Sequence, residues 1–112
     1  MSNTPSTFYE IIQTLDMPCV YGVFRKNQAL PYMSYTGYGQ DIFWADNDGY
    51  HRVNLYQLVY YFSEKDETLE DSIETLLLSY GYTYNKGEDL YDSEQNVYYI
   101  IYDSIKALGK GL

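Results

Sequence analysis

Sixteen of the 112 residues are tyrosine. Ten of these (Tyr32, Tyr35, Tyr38, Tyr50, Tyr56, Tyr60, Tyr61, Tyr98, Tyr99 and Tyr102) fall on or beside stretches that read as β-strands. A tyrosine joins an apolar ring to a hydroxyl that needs a partner when buried, so it suits half-buried strands, rims and interfaces better than a dry core. Two readings follow. The tyrosines express ordinary strand propensity, or the sheet carries more surface for protein partners than a monomer needs, since Tyr, Trp and Phe are enriched at the centres of interfaces.

The apolar pattern supplies the elements around that sheet. Thr4-Pro5 starts a helix, with an N-cap hydroxyl followed by Pro at the first helical position. Phe8, Ile11, Ile12 and Leu15 form its apolar stripe, and Asp16-Met17-Pro18 ends it. Strands are expected over 19–24 and 32–36, with Gly37-Tyr38-Gly39 breaking or bulging the second, and a short third strand over 41–45. Asp48-Gly49 supplies a tight hairpin turn. Tyr50 to Phe62 is the longest strand, with Tyr56, Leu58, Tyr60 and Phe62 on one side. The clearest element is a helix whose stripe is Leu69, Ile73, Leu76, Leu77 and Tyr80, capped by Asp66 or Thr68 and followed by Gly81. Glu70, Asp71 and Glu74 lie mostly off that stripe. Tyr82 to Tyr84 begins another strand, 96–102 is a strand apolar on both faces, and 103–112 reads as a short tail helix. The order α-β-β-β-β-α-β-β makes an α+β fold, two helices packed on a mostly antiparallel sheet of four to six strands. At 112 residues the chain is a single domain, with a core over about 5–103 and a tail over 104–112.

Charge and composition narrow the function classes. Lys+Arg is 7 and Asp+Glu is 16, a formal charge of −9. Residues 1–63 carry five acids and three bases, and residues 64–112 carry eleven acids and four bases. Such a surface repels DNA, RNA and anionic membranes, which are gripped through clustered Lys and Arg. The start lacks the basic and apolar segments of a signal peptide, no apolar run reaches the ~20 residues of a membrane span, and a reducing cytoplasm is the expected address. One cysteine excludes an internal disulfide, and with one histidine it leaves little for catalysis. A Cys19–His51 pair would need an orienting group and an oxyanion site, neither of which has a sequence sign. Read as a calcium loop with Gly49 at position 6, the segment 44–55 would begin with Trp44 and end with Leu55 where acids are required. Thr36-Gly37-Tyr38-Gly39 matches a potassium-filter tetrapeptide, but that chemistry needs pore helices. The expectation is therefore no catalytic residue, no metal and no cofactor. Tyr38, Phe43, Trp44, Tyr50 and Tyr61 are the candidate partner contacts, beside the Asp48-Gly49 turn.

A pattern running through most of the chain adds to this. It comprises Pro18-Cys19-Val20-Tyr21-Gly22, Pro31-Tyr32, Tyr35, Gly39-Gln40-Asp41, Phe43, Ala45-Asp46-Asn47 and Tyr50. It continues through Tyr56-Gln57, Tyr61, Lys65-Asp66, Leu69-Glu70, Val97-Tyr98 and Ile101-Tyr102. Over residues 8–103 the chain resembles the small tail-terminator (tail-completion or head–tail joining) proteins of long-tailed bacteriophages and prophages. It departs from them in having apolar residues at Val59 and Tyr99 and a greasier hairpin at Ile42 and Trp44. The resemblance implies a non-enzymatic virion protein that assembles in the host cytoplasm as a homo-oligomeric ring, typically a hexamer. The ring would cap the head-proximal end of the tail tube, end its polymerisation and dock to a neck protein, with DNA only passing through its lumen. Glu70, Asp71, Glu74 and Asp92 would then be candidates for an acidic lumen that lets DNA slide. The alternative is a small acidic phage-encoded regulator or DNA mimic that binds a host DNA-processing protein.

Overall fold

The computed structural model describes residues 7–22, 28–45 and 49–107, with the side chains at 41, 43–45 and 49–51 outside that description. The elements are α1 (Phe8–Ile12), β1 (Cys19–Tyr21), β2 (Tyr32–Ala45), β3 (Gly49–Phe62), α2 (Glu67–Ser79), β4 (Tyr82–Lys86), β5 (Leu90–Asp92) and β6 (Val97–Ala107). The fold is α+β, with two helices and a mixed six-stranded sheet in the order β1-β2-β3-β6-β4, and β5 also on β6. β1 pairs parallel with β2, and every other pairing is antiparallel.

The observed order, α-β-β-β-α-β-β-β, corrects the expectation in three places. The stretches 32–36 and 41–45 are one 14-residue strand, whose ladder shifts register between Gly37 and Gln40. Gly39, at φ +124°, lets the backbone bulge there without ending the pairing. A short strand over Leu90–Asp92 was not legible, because three residues carry too little alternation to register. Finally, 103–107 continue β6 instead of forming a helix, and Ile105 is fully buried, so the core extends beyond 103. Residues 108–112 lie outside the described part.

The helices show why capping sets their limits. α1 begins at Thr7, whose hydroxyl accepts from the Glu10 N–H at 3.2 Å while the Thr7 N–H donates to the Glu10 carboxylate at 3.1 Å, a capping box. The cap is therefore three residues later than Thr4-Pro5, which lie outside the described part. Asp66 caps α2 by accepting from the N–H groups of Thr68 and Leu69, and Gly81 follows its last turn at φ +83°.

Both helices lie on one sheet face. Phe8, Ile12, Ile73 and Leu77 pack on Met33, Leu58, Tyr60, Phe62, Ile100, Tyr102 and Ile105. Side chains alternate along a strand, so Tyr32, Ser34 and Thr36 of β2, Gln57, Val59 and Tyr61 of β3, and Tyr99 and Ile101 of β6 share the opposite face. β4 and β5 run end to end along the far edge of β6. They meet at Gly87, whose N–H donates to the Ile101 carbonyl at 2.8 Å, and a Cβ on Gly87 would stand 2.9 Å from that same oxygen. Only glycine fits so close an approach. No described helix is long and apolar enough to cross a membrane.

Candidate functional site

The predicted partner contacts fall on β2 and β3. These two strands form a hairpin longer than the sheet that holds it. β6 accompanies β3 only over Tyr56–Phe62, and β1 accompanies β2 only over Met33–Tyr35. Beyond that, the pairs Gln40↔Asn54, Asp41↔Val53, Ile42↔Arg52, Phe43↔His51, Trp44↔Tyr50 and Ala45↔Gly49 continue as a two-stranded arm. Six pairs at ~3.4 Å per residue make it about 20 Å long. The molecule is correspondingly drawn out, with extents of 51 × 35 × 27 Å and a radius of gyration of 15.4 Å, against about 13 Å for a compact chain of this length.

Two polar contacts fix the arm's base. The Gln40 side-chain amide donates to Asn54 Oδ1 at 2.9 Å. The Tyr38 hydroxyl accepts from the Ser104 N–H at 2.7 Å and donates to Ser104 Oγ at 3.2 Å. Ser104 has φ +52° and occupies the register shift between β3 and β6. Tyr38, still 47% exposed, thus locks a bulge while presenting its ring outward. Further out, Ile42 is 59% exposed. Phe43, Trp44 and Tyr50 are placed on the arm by register, with their side chains outside the described part. Gly49 opens β3 opposite Ala45, and Asp48 lies outside the described residues.

Tyr61, the remaining candidate, is on the sheet face opposite the helices. It stacks on Tyr32 at 4.7 Å and lies 6.0 Å from Tyr99. Across this face the eight positions named above include no charged residue. A second aromatic group, Tyr9, Tyr35 and Tyr21, borders α1 and β1, and Tyr21 is 65% exposed.

The four acids proposed for a lumen are not equivalent. Glu70 is a correction: it is 2% exposed, because α2 turns it into the sheet beside Ile73 and Leu77. Its Oε1 accepts from both Lys65 and Lys86 at 3.0 Å, and Oε2 lies 2.8 Å from Lys65 Nζ, held by charge more than by an aligned hydrogen bond. Glu74 pairs with Lys86 at 2.8 Å and accepts from the Tyr102 hydroxyl at 2.8 Å and the Tyr84 hydroxyl at 3.4 Å. Burial alone would raise its carboxyl pKa, but Lys86, Tyr102 and Tyr84 together hold it below the usual value. The same contacts raise Lys86, and burial with Glu74 raises Tyr102. Asp92 is half-buried and closes a turn by accepting from the N–H groups of Glu94 and Gln95. Asp71 alone of the four is exposed. Positions 70, 73, 74 and 77 are themselves spaced i, i+3, i+4, i+7, but a stripe read from apolar residues leaves its glutamates out.

Burial pushes the Cys19 thiol up to about 12, so it is a poor nucleophile. His51 falls among the residues whose side chains are not described. Among the described residues no three His, Cys, Asp or Glu side chains gather in a metal-holding group. A cleft of about 240 Å³ lies between the β3 end and the start of α2, lined by Pro31, Tyr60, Ser63, Glu64, Lys65, Asp66 and Leu69. Comparison with family models, curated proteins and solved structures finds no match to this chain.

Proposed function

We propose that this chain is a structural, non-enzymatic protein that works as a homo-oligomeric ring, of the kind its sequence resembles: a phage tail terminator. In that role the ring caps the head-proximal end of the tail tube, ends tube growth and presents its other side to a neck protein. Its place is the virion, at the head–tail junction. The observation that supports this reading most is the sheet with helices on one face only, continued by an arm that leaves the body. A monomer has no use for a tyrosine-rich sheet face with an uncharged centre and an exposed hairpin, whereas a subunit does. The acidic lumen survives only in reduced form, since Glu70 and Glu74 are neutralised by lysines. That neutralisation also weakens the DNA-mimic alternative, which needs free acids in rows.

Sedimentation and negative-stain microscopy of the purified chain, alone and with tail tube protein, test the reading. Rings that cap tubes at one end are expected. A strict monomer at high concentration, with tubes left uncapped, would overturn it.

A further inference from the structure

We propose that the β2–β3 arm of one copy lies on the open sheet face of the next copy, a head-to-tail contact between two different surfaces of the same chain. This rests on the ring reading and names the contact that closes the ring.

Two separate features of the molecule point to it. The first is the arm. Its six register pairs run past the last residue of β3 that pairs with β6, and no third strand among the described residues flanks them. A two-stranded hairpin is marginal by itself in water, and this one exposes Ile42. The second is the face carrying Tyr32, Val59, Tyr61, Tyr99 and Ile101, while the core and both helices occupy the other side. The centre of that face carries no charge, with Asp103 beside Ile101 at its margin, so it offers no cluster of basic side chains to nucleic acid. It suits a slender occupant with no net charge.

The arm, whose paired positions 40–45 and 49–54 carry one acid (Asp41) and one base (Arg52), is the unflanked two-stranded element among the described residues, and it cannot reach its own open face. β2 and β3 run from the sheet directly into the arm, so folding back would break their shared ladder. The occupant is therefore another copy. Charge agrees with this: two chains of net −9 repel overall and approach best where the centre of one surface is uncharged and the other carries one acid and one base. Size agrees too. The strands β1, β2, β3 and β6 span about 15 Å at ~4.8 Å spacing, and an arm of about 20 Å crosses them all. Because the two surfaces differ, the contact is heterologous, and repetition either closes into a ring or runs on as a filament.

The test uses the full chain with Ile42→Lys to spoil the arm and Tyr61→Lys to spoil the face, with Tyr99→Lys as a second face variant. Circular dichroism and thermal melting establish that each folds. Sedimentation is expected to show assembly of the unaltered chain and at least a tenfold higher assembly concentration for each variant alone. An equimolar mixture of arm and face variants should stop at dimers, since the face variant's intact arm can enter the arm variant's intact face and nothing further can add. As a direct readout, in a Cys19→Ala background, Ile42→Cys in one copy and Gln57→Cys in another should crosslink to each other and not to themselves. If the unaltered chain assembles and folded variants assemble equally well, or the mixture gives no dimer, arm-on-face docking is wrong while the ring reading stands. Crosslinking of Ile42→Cys copies to one another would point to arm-on-arm pairing and also overturn it. A strictly monomeric unaltered chain, with or without tube protein, overturns both.

Discussion

The Tyr60 ring is wholly buried between β2, β6 and the start of α2, and its hydroxyl finds no protein hydrogen-bond partner. Burial, with Asp66 and Glu70 nearby, pushes that hydroxyl's pKa up to about 12, so it stays neutral at every working pH. A buried donor without a partner costs about 1–3 kcal/mol, and here removing it leaves the packing ring in place. Tyr60→Phe is therefore expected to stabilise the fold by up to about 1 kcal/mol, a rise of a few degrees in the melting midpoint. A clear fall would mean that the hydroxyl is satisfied by water in the adjoining cleft. The tyrosine count made such a residue visible in the sequence, and the alternation through Leu58 and Phe62 put it on the core side. Whether its hydroxyl is satisfied depends on neighbours from distant elements. Tyr102, one register step away on β6, is satisfied by Glu74 of α2, and nothing local distinguishes the two residues.

At the scale of elements, α2 is held to the sheet by apolar contact and by charge together. Lys86 at the end of β4 reaches both Glu70 and Glu74, whereas Lys65 ahead of the helix reaches Glu70 and the surface residue Asp89. Removing a lysine from a buried carboxylate costs about 3–5 kcal/mol when the pair is fully enclosed. Both lysine heads are partly solvated, so the effect here is smaller. Lys86→Ala is expected to cost about 2 kcal/mol and Lys65→Ala about half as much, measured by urea denaturation. Acid should act on the same clamp. The Glu74 carboxyl has a lower pKa folded than unfolded, so its contribution is complete above the ordinary glutamate value and is lost as pH falls through the depressed one. Melting midpoints measured from pH 7 to pH 3 should drop below about pH 4.3, and Glu74→Gln should flatten that drop. The helix itself was legible to within a residue at its cap, but its inward face is turned by about one position from the stripe of leucines. Leu78 and Tyr80 are exposed while Glu70 is buried. Apolar periodicity ranks a glutamate outside, and only two lysines converging from other elements make it cheap to bury.

At the scale of the whole molecule, stability should divide between body and arm. Leu58 and Tyr60 sit in a strand paired on both sides and covered by the helices, whereas 40–42 and 52–54 are paired on one side only. In a monomeric sample, amide hydrogens of the arm are expected to exchange orders of magnitude faster than those at 58–60. Equal protection in both regions would show that the arm is buttressed within its own chain. The sequence made the hairpin legible as two strands around an Asp-Gly turn, and it singled out Tyr38, Phe43, Trp44, Tyr50 and Tyr61. It did not separate the arm from the body, because strand propensity is the same whether or not a third strand lies alongside.

By itself the sequence determined the α+β class, the type of most elements and the side of β3 that faces the core. These follow from local periodicity, capping and turn chemistry, which act over a few residues. Tertiary structure alone decided that β2 is continuous through its bulge, that β6 extends to Ala107, that Glu70 and Glu74 are clamped instead of exposed, and that one sheet face is left open beside a projecting arm. Each of these is set by partners far apart in the chain: Tyr38 with Ser104, Lys86 with Glu70, β6 stopping at Tyr56 of β3. The physical reason is that burial and pairing are properties of pairs of segments, and a one-dimensional pattern records only one member of each pair.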